Sequence, residues 1–210
     1  IVNLSIGISL GANVVIAIAL GRKDAAAVEK ATHTALALSV FGIAFTVLGE
    51  LFAVPLLTAL SVPDETFAAT LVYWRIYLVG VAAVMLYNFE SAIYRSIGIT
   101  TKPLQVLVIS TVLNAVLGFV FVAVLKMDVA GIAIATVISY CVSAALLING
   151  LRTINADVRV SLRKIRIDPA SAKQIFKVGF PAGVQMGIFA VANIVIQGAI
   201  NSLGTSVIAA

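Results

Sequence analysis

Along the 210-residue chain, apolar side chains gather into long runs broken only by short polar or charged clusters. A helix needs roughly 20 residues to cross the hydrocarbon core of a bilayer, and six runs reach that length. They extend approximately from Ile1 to Leu20, Thr34 to Leu60, Phe67 to Tyr94, Leu104 to Leu125, Val129 to Leu151 and Gly179 to Leu203. Between them stand GRKDAAAVEKATH, SVPDE, RSIGITTKP, KMD and a basic stretch from Arg152 to Val178. This pattern predicts an all-α integral membrane protein, a polytopic bundle of six transmembrane helices. Two of the connections have helical spacing of their own, Asp24 to His33 and Pro169 to Val178, the second after an Asp168 cap with Pro169 at its first position. They are expected to be short helices at the interface. His33 in the first is expected to be solvated or interfacial rather than a proton relay.

Composition agrees, because 61% hydrophobic and 11% charged residues leave too little polar surface to cover a soluble globule. The net charge of +5 would suit a nucleic-acid partner only if the basic residues shared one aqueous face. They do not. Arg22, Lys23 and Lys30 fall in the first connection, Arg95 and Lys102 in the third, and the seven from Arg152 to Lys177 in the fifth, while only Arg75 and Lys126 lie elsewhere. The bias is the one that sets membrane orientation: the first, third and fifth connections are expected in the cytoplasm, and no nucleic-acid partner is expected. The chain opens inside an apolar run without an initiator Met, and both ends are expected to be cut from something longer. Cys141 is the single cysteine, so neither an intrachain disulfide nor a cysteine metal site is possible. No HExxH, repeated acidic metal motif or Gly-rich phosphate loop occurs, and an enzyme is not expected.

Polar residues inside the runs are the candidates for function, because an unpaired polar group in hydrocarbon is costly. Glu50 and Arg75 are equidistant from a hairpin centre near Val62 and Pro63, which would bring them to similar depth. Each charge alone at the midplane would cost about 2.5 to 3.5 kcal/mol, so they read either as a structural ion pair or, for Arg75, as a substrate or gating group. Glu90, a turn from the cytoplasmic end of its run and close to Arg95, reads as interfacial. Asn114 and Thr136 offer neutral oxygens that can ligate a hard cation or bond one helix to another. Gln185, Asn193 and Gln197 recur at intervals of eight and four, along one face that is expected to look into a bundle or cavity. Gly7 with Gly11, and Gly179 with Gly183 and Gly187, have the spacing that lets helices approach closely. Pro55 and Pro181 mark possible kinks.

Three stretches, GISLGANVVIAIALGRKD, SAIYRSIGITTKPLQVLVISTVLNAVLGFVF continued by DVAGIAIATVIS, and KVGFPAGVQMGIFAVANIVIQGAINSLGTSVIAA, carry a resemblance to the multidrug and toxic compound extrusion family. It runs over essentially the whole chain. The resemblance implies twelve helices in two six-helix lobes, of which this chain holds helices two to seven: residues 1–151 in the N-terminal lobe, 152–178 as the cytoplasmic interlobe loop, and 179–210 as the first helix of the C-terminal lobe. It implies export of organic cations and amphipathic drugs in exchange for sodium or protons, with no other cofactor, by switching between inward- and outward-open states. By the same resemblance Asn114 and Thr136 fall on positions that help bind the coupling cation. The helix carrying Asn114 often holds an acid one turn later in the family, where this chain has Gly118, and no Asp or Glu follows Asp168.

The expectation is therefore a monomeric, multi-pass cation-coupled antiporter of the cell inner (plasma) membrane, with Asn114 and Thr136 near the coupling site and Gln185, Asn193, Gln197 and Arg75 toward the substrate. The alternatives are a lipid-linked precursor flippase of the same superfamily, which usually lines its cavity with several arginines, and a non-transporting helical membrane protein.

Overall fold

The computed structural model describes residues 2–59, 62–154 and 157–202. Eight α-helices follow one another: α1 (Val2–Gly21), α2 (Ala25–Ser39), α3 (Phe41–Leu51), α4 (Ala53–Ala59), α5 (Asp64–Ser96), α6 (Thr101–Phe119), α7 (Asp128–Thr153) and α8 (Pro169–Ser202). A π-turn over Val120–Val124 extends α6, and a 3-10 turn at Leu162–Lys164 punctuates the basic loop. Among the described residues six spans are long and apolar enough to cross a membrane, as expected from the sequence, with α2 and α3 forming the second together. The expected run ends at Leu60 and Leu203 lie outside the described residues.

The two expected interfacial helices are instead the first turns of spans. Asp24 accepts the Ala27 N–H at 3.0 Å and starts α2, which continues without a break past His33 to Ser39. The Ala-rich segment buries Val28, Ala31 and Ala35 against its neighbours, so it packs rather than floats. Asp168 caps α8 as expected, accepting the Ser171 N–H at 2.9 Å and its hydroxyl at 2.8 Å, and the helix then runs on through Pro181. Pro55 does coincide with a break: α3 ends at Leu51, the residue four before the proline, whose carbonyl the ring cannot bond.

At about 1.5 Å per residue, α5 is close to 50 Å long, more than the hydrocarbon thickness, and it serves as the spine of the bundle. It packs against α1, α3 and α7, while α8 lies along α1 and α6 along α7. Phe89, Ile93, Ile16, Leu147, Leu151 and Ile175, each at most 1% exposed, fill the space between α1, α5, α7 and α8. By contrast α6 turns Val108, Ile109, Val112, Val116 and Phe119 outward, the arrangement expected of a helix solvated by lipid.

Three bonds fix α3 against α5. Arg75 Nε meets Glu50 Oε1 at 2.7 Å, the Trp74 indole N–H donates to the Gly49 carbonyl at 3.4 Å, and the Thr46 hydroxyl donates to the Leu78 carbonyl at 2.7 Å. All three pairs are nearly symmetric about residue 62, which places the antiparallel turn where the sequence put it. Between α1 and α8 the contact is backbone to backbone. A Cβ on Gly11 would fall 2.8 Å from the Gly179 Cα, and one on Gly179 only 2.6 Å from the Ile8 Cα, so only glycine fits the crossing.

Candidate functional site

The α6–α7 hairpin brings Asn114 and Thr136 together. Its turn is tight because Lys126 and Asp128 take positive φ angles of 53° and 47°, reversing the chain within three residues. Antiparallel packing then sets Asn114 Nδ2 3.1 Å from Thr136 Oγ1, where the amide donates and the hydroxyl accepts. Thr136 in turn donates to the Ile132 carbonyl at 2.9 Å. With both hydroxyl functions used, Thr136 is held in one rotamer and Asn114 is held by Thr136. No donor among the described residues reaches Asn114 Oδ1, which keeps the better metal-ligating oxygen available.

Around this pair lies a cavity of about 190 Å³ lined also by Leu107, Ser110, Thr111, Ser139 and Tyr140. Ser110 donates to the Leu107 carbonyl, Thr111 to the same oxygen, and Ser139 to the Ala135 carbonyl, so each hydroxyl turns its proton into its own helix and leaves lone pairs to accept. The cavity therefore gathers neutral oxygen donors of the kind that suit a hard cation or a hydrogen-bonding ligand. Among the described residues no carboxylate lines it. Gly118, where the family often carries an acid, faces open space, with nothing within 4 Å of an added Cβ. Ser110 and Ser139 were not singled out from the sequence. They stand four residues before Asn114 and three after Thr136, so helical periodicity alone would have found them.

The other candidates are placed apart from this cavity. Arg75 is ion-paired with Glu50, both side chains about half exposed. Close by, between α1, α3 and α5, an aromatic hollow of about 670 Å³ is lined by Phe45, Phe52, Trp74 and Tyr77. Gln185 is exposed beside a shallow apolar hollow formed with Phe180, Pro181, Val184, Ile188 and Phe189. Asn193 is exposed on the same helix, and the side chain of Gln197 lies outside the described residues.

Two expectations are corrected. His33 is 3% exposed, not solvated: its Nδ1–H donates to the Glu29 carbonyl at 2.8 Å and its Nε2 accepts the Ser161 N–H at 3.1 Å. Those two bonds select the Nδ1–H tautomer and tie the basic loop to α2. Glu90 is not interfacial but completely enclosed, and neither carboxylate oxygen has a hydrogen-bond partner among the described residues. Five residues separate it from Arg95, about 140° around the helix, so Arg95 is exposed while Glu90 turns into the core. No group of three or more His, Cys, Asp or Glu that could hold a metal occurs among the described residues.

Known proteins share both the sequence and the fold. The MatE family model matches residues 1–120. The probable multidrug resistance protein YpnP of Bacillus subtilis is 30% identical over 169 residues, 80% of this chain and 36% of the relative. YoeA of the same organism is 25% identical across 100% of this chain and 47% of its own length, and NorM of Thermotoga maritima is 29% identical over 88% and 40%. The chain thus spans less than half of these curated relatives. Solved structures of a MATE transporter in the straight and bent conformations superpose with TM-scores of 0.87 and 0.85, at 23% and 24% identity. They cover 97% and 91% of this chain, and 46% and 43% of their own. With its family model matched over more than half of its residues and a 30%-identical relative aligned over most of them, this multi-pass membrane chain belongs to the multidrug and toxic compound extrusion (MatE) family.

Proposed function

We propose that the chain works within a cation-coupled antiporter of the cell inner (plasma) membrane that exports organic cations or amphipathic drugs by alternating access. The observation that carries this reading is the Asn114–Thr136 pair inside a hydroxyl-rich cavity between two spans. In the proposal Asn114 and Thr136 ligate the coupling ion, sodium or a hydrated proton, and the neutral oxygens hold it loosely enough to release when the lobes switch. The balancing carboxylate comes from outside the cavity. Residues 1–151 act in the N-terminal lobe, 152–178 join the lobes, and 179–210 open the C-terminal one. Gln185, Asn193 and Gln197 face the drug across the lobe interface, Arg75 orients it near the aromatic hollow, and the transporter works as a monomer without a further cofactor.

A precursor flippase would need several free guanidinium groups within the membrane, and Arg75, the single arginine inside the apolar runs, is already paired with Glu50. The antiporter is therefore the better supported reading. The deciding experiment is efflux of a fluorescent organic cation from proteoliposomes holding the full-length protein, under imposed sodium or proton gradients. Gradient-driven efflux is expected in the wild type and at least about a tenfold loss in Asn114→Ala combined with Thr136→Ala, since two ligating oxygens are removed. No efflux under either gradient, from protein shown to be folded, would favour the flippase.

A further inference from the structure

The loop joining α7 to α8 is a folded cap over one end of the bundle. Val158 and Val160 are 0% and 4% exposed, and the Val160 N–H donates to the Leu151 carbonyl at 3.0 Å, which turns the loop back onto the end of α7. Three bonds then tie it to α2: Ser161 N–H to His33 Nε2, Asp168 N–H to Thr34 Oγ1 at 3.0 Å, and Lys164 Nζ to Glu29 Oε1 at 2.6 Å. Between loop, α2 and the last turn of α7 this docking leaves a cavity of about 900 Å³.

The walls of that cavity are cationic. Arg152, Arg159, Arg163 and Lys164 line it together with the polar donors Asn149 and Thr153. Two acids also line it, Glu29 and Asp157, but Glu29 is bound to Lys164. Among the described residues no carboxylate lies within ion-pair distance of Arg152, Arg159 or Arg163. Three guanidinium groups therefore share one concave space with one unbound acid. Planar guanidinium forks match the oxygens of a phosphoryl group, which they grip in pairs, whereas a solvated basic loop needs no such convergence.

Position selects the form of the phosphoryl ligand. The cavity sits where the α7 span ends, and so is expected at headgroup depth, on the side that the distribution of basic residues assigns to the cytoplasm. Leu162, on its wall, and Ile167, farther along the loop, are 52% and 48% exposed, apolar side chains set among cations. Basic pockets at this depth attract the anionic lipids of the cytoplasmic leaflet, and exposed apolar neighbours suit their acyl chains. We propose that this cavity binds the phosphoryl headgroup of an anionic phospholipid, with Arg152, Arg159 and Arg163 as its ligands and Leu162 against the lipid body.

The test uses native mass spectrometry of the full-length protein mixed with phosphatidylglycerol or phosphatidylcholine. Phosphatidylglycerol adducts are expected to exceed phosphatidylcholine adducts at least about tenfold in the wild type, from the charge-assisted bonds to the phosphoryl group. Arg152→Gln with Arg163→Gln, neither of whose side chains makes a hydrogen bond among the described residues, is expected to lose about a hundredfold in affinity. Arg95→Gln with Lys102→Gln removes the same charge from another connection and is expected to keep the adduct. Should the Arg152 and Arg163 double variant not fold, Arg163→Gln alone carries the test, with about a tenfold loss. Equal adducts with both lipids, or an equal loss in the two double variants, would overturn the site. Displacement of the lipid by inorganic phosphate would reassign it to a soluble oxyanion and overturn the lipid.

Discussion

Replacing Glu90 with methionine is expected to stabilise the fold, although it removes a carboxyl group from α5, the spine of the bundle, six residues before its end. The side chain is 0% exposed, and both of its oxygens lack partners among the described residues. A buried polar group left unsatisfied carries a desolvation cost of about 1–3 kcal/mol, which an apolar group of similar shape does not. Methionine is close to glutamate in length and adapts to irregular space, so little packing is lost. The net expected gain is about 2 kcal/mol. Glu90→Ala tests the other half of the reasoning: it removes the same polar atoms but also one buried methylene, at about 0.8 kcal/mol, and leaves a cavity where the carboxyl stood, and so should end near or below the wild type. The assay is the apparent unfolding midpoint of the full-length protein in detergent, followed by intrinsic fluorescence. If Glu90→Met lowers the midpoint as far as Glu90→Ala, the carboxyl has a stabilising partner and the reasoning fails.

Gly7→Ala should lower the stability read from the same midpoint by about 1–3 kcal/mol, because its Cβ would meet the Gly183 backbone, while Gly118→Ala, facing open space, should raise it by up to about 1 kcal/mol. Thr136→Val should cost about 1 kcal/mol from the lost Asn114 bond, and a double-mutant cycle with Asn114→Ala should return a coupling of that size. His33→Ala frees the Ser161 N–H from its acceptor and should speed proteolysis of the basic loop several-fold without changing cleavage elsewhere. The Ser171 N–H, then its hydroxyl, hold the Asp168 carboxyl below the ordinary aspartate value of 3.8. A folded-state value lower than the unfolded one means the cap contributes fully above pH 3.8 and is lost as pH falls below it. Hydrogen exchange at the start of α8 should rise on that acid side, and Asp168→Ala should remove the dependence.

The spans were legible because membrane solvation needs long uninterrupted apolar runs, and the Glu50–Arg75 pair because two lone charges equidistant from a turn have few other partners. Asn114 and Thr136 stood out as polar groups in apolar helices, but their contact depends on the exact register of the α6–α7 turn, which the positive φ angles at Lys126 and Asp128 set. His33 was misread because its acceptor role involves Ser161, 128 residues away, and no local pattern encodes so distant a bond. Glu90 reads as interfacial from its closeness in number to Arg95, but the roughly 140° between them on the helix puts the two side chains on different faces. The Ala-rich start of α2 resembled an interfacial segment since small residues are compatible with both settings, and only the packing of α1 and α5 decides between them.

The glycine crossing of α1 and α8 has a mechanical consequence. Helices that interlock through large side chains must change rotamers before they can turn against each other, and each such change is a barrier. Where Gly7, Gly11 and Gly179 meet the facing helix, backbone lies against backbone, with the Leu4 side chain reaching in beside Gly183. Such a seam resists separation, because contact is lost at once, yet opposes rotation only weakly. In mechanical terms it is closer to a bearing than to a gear.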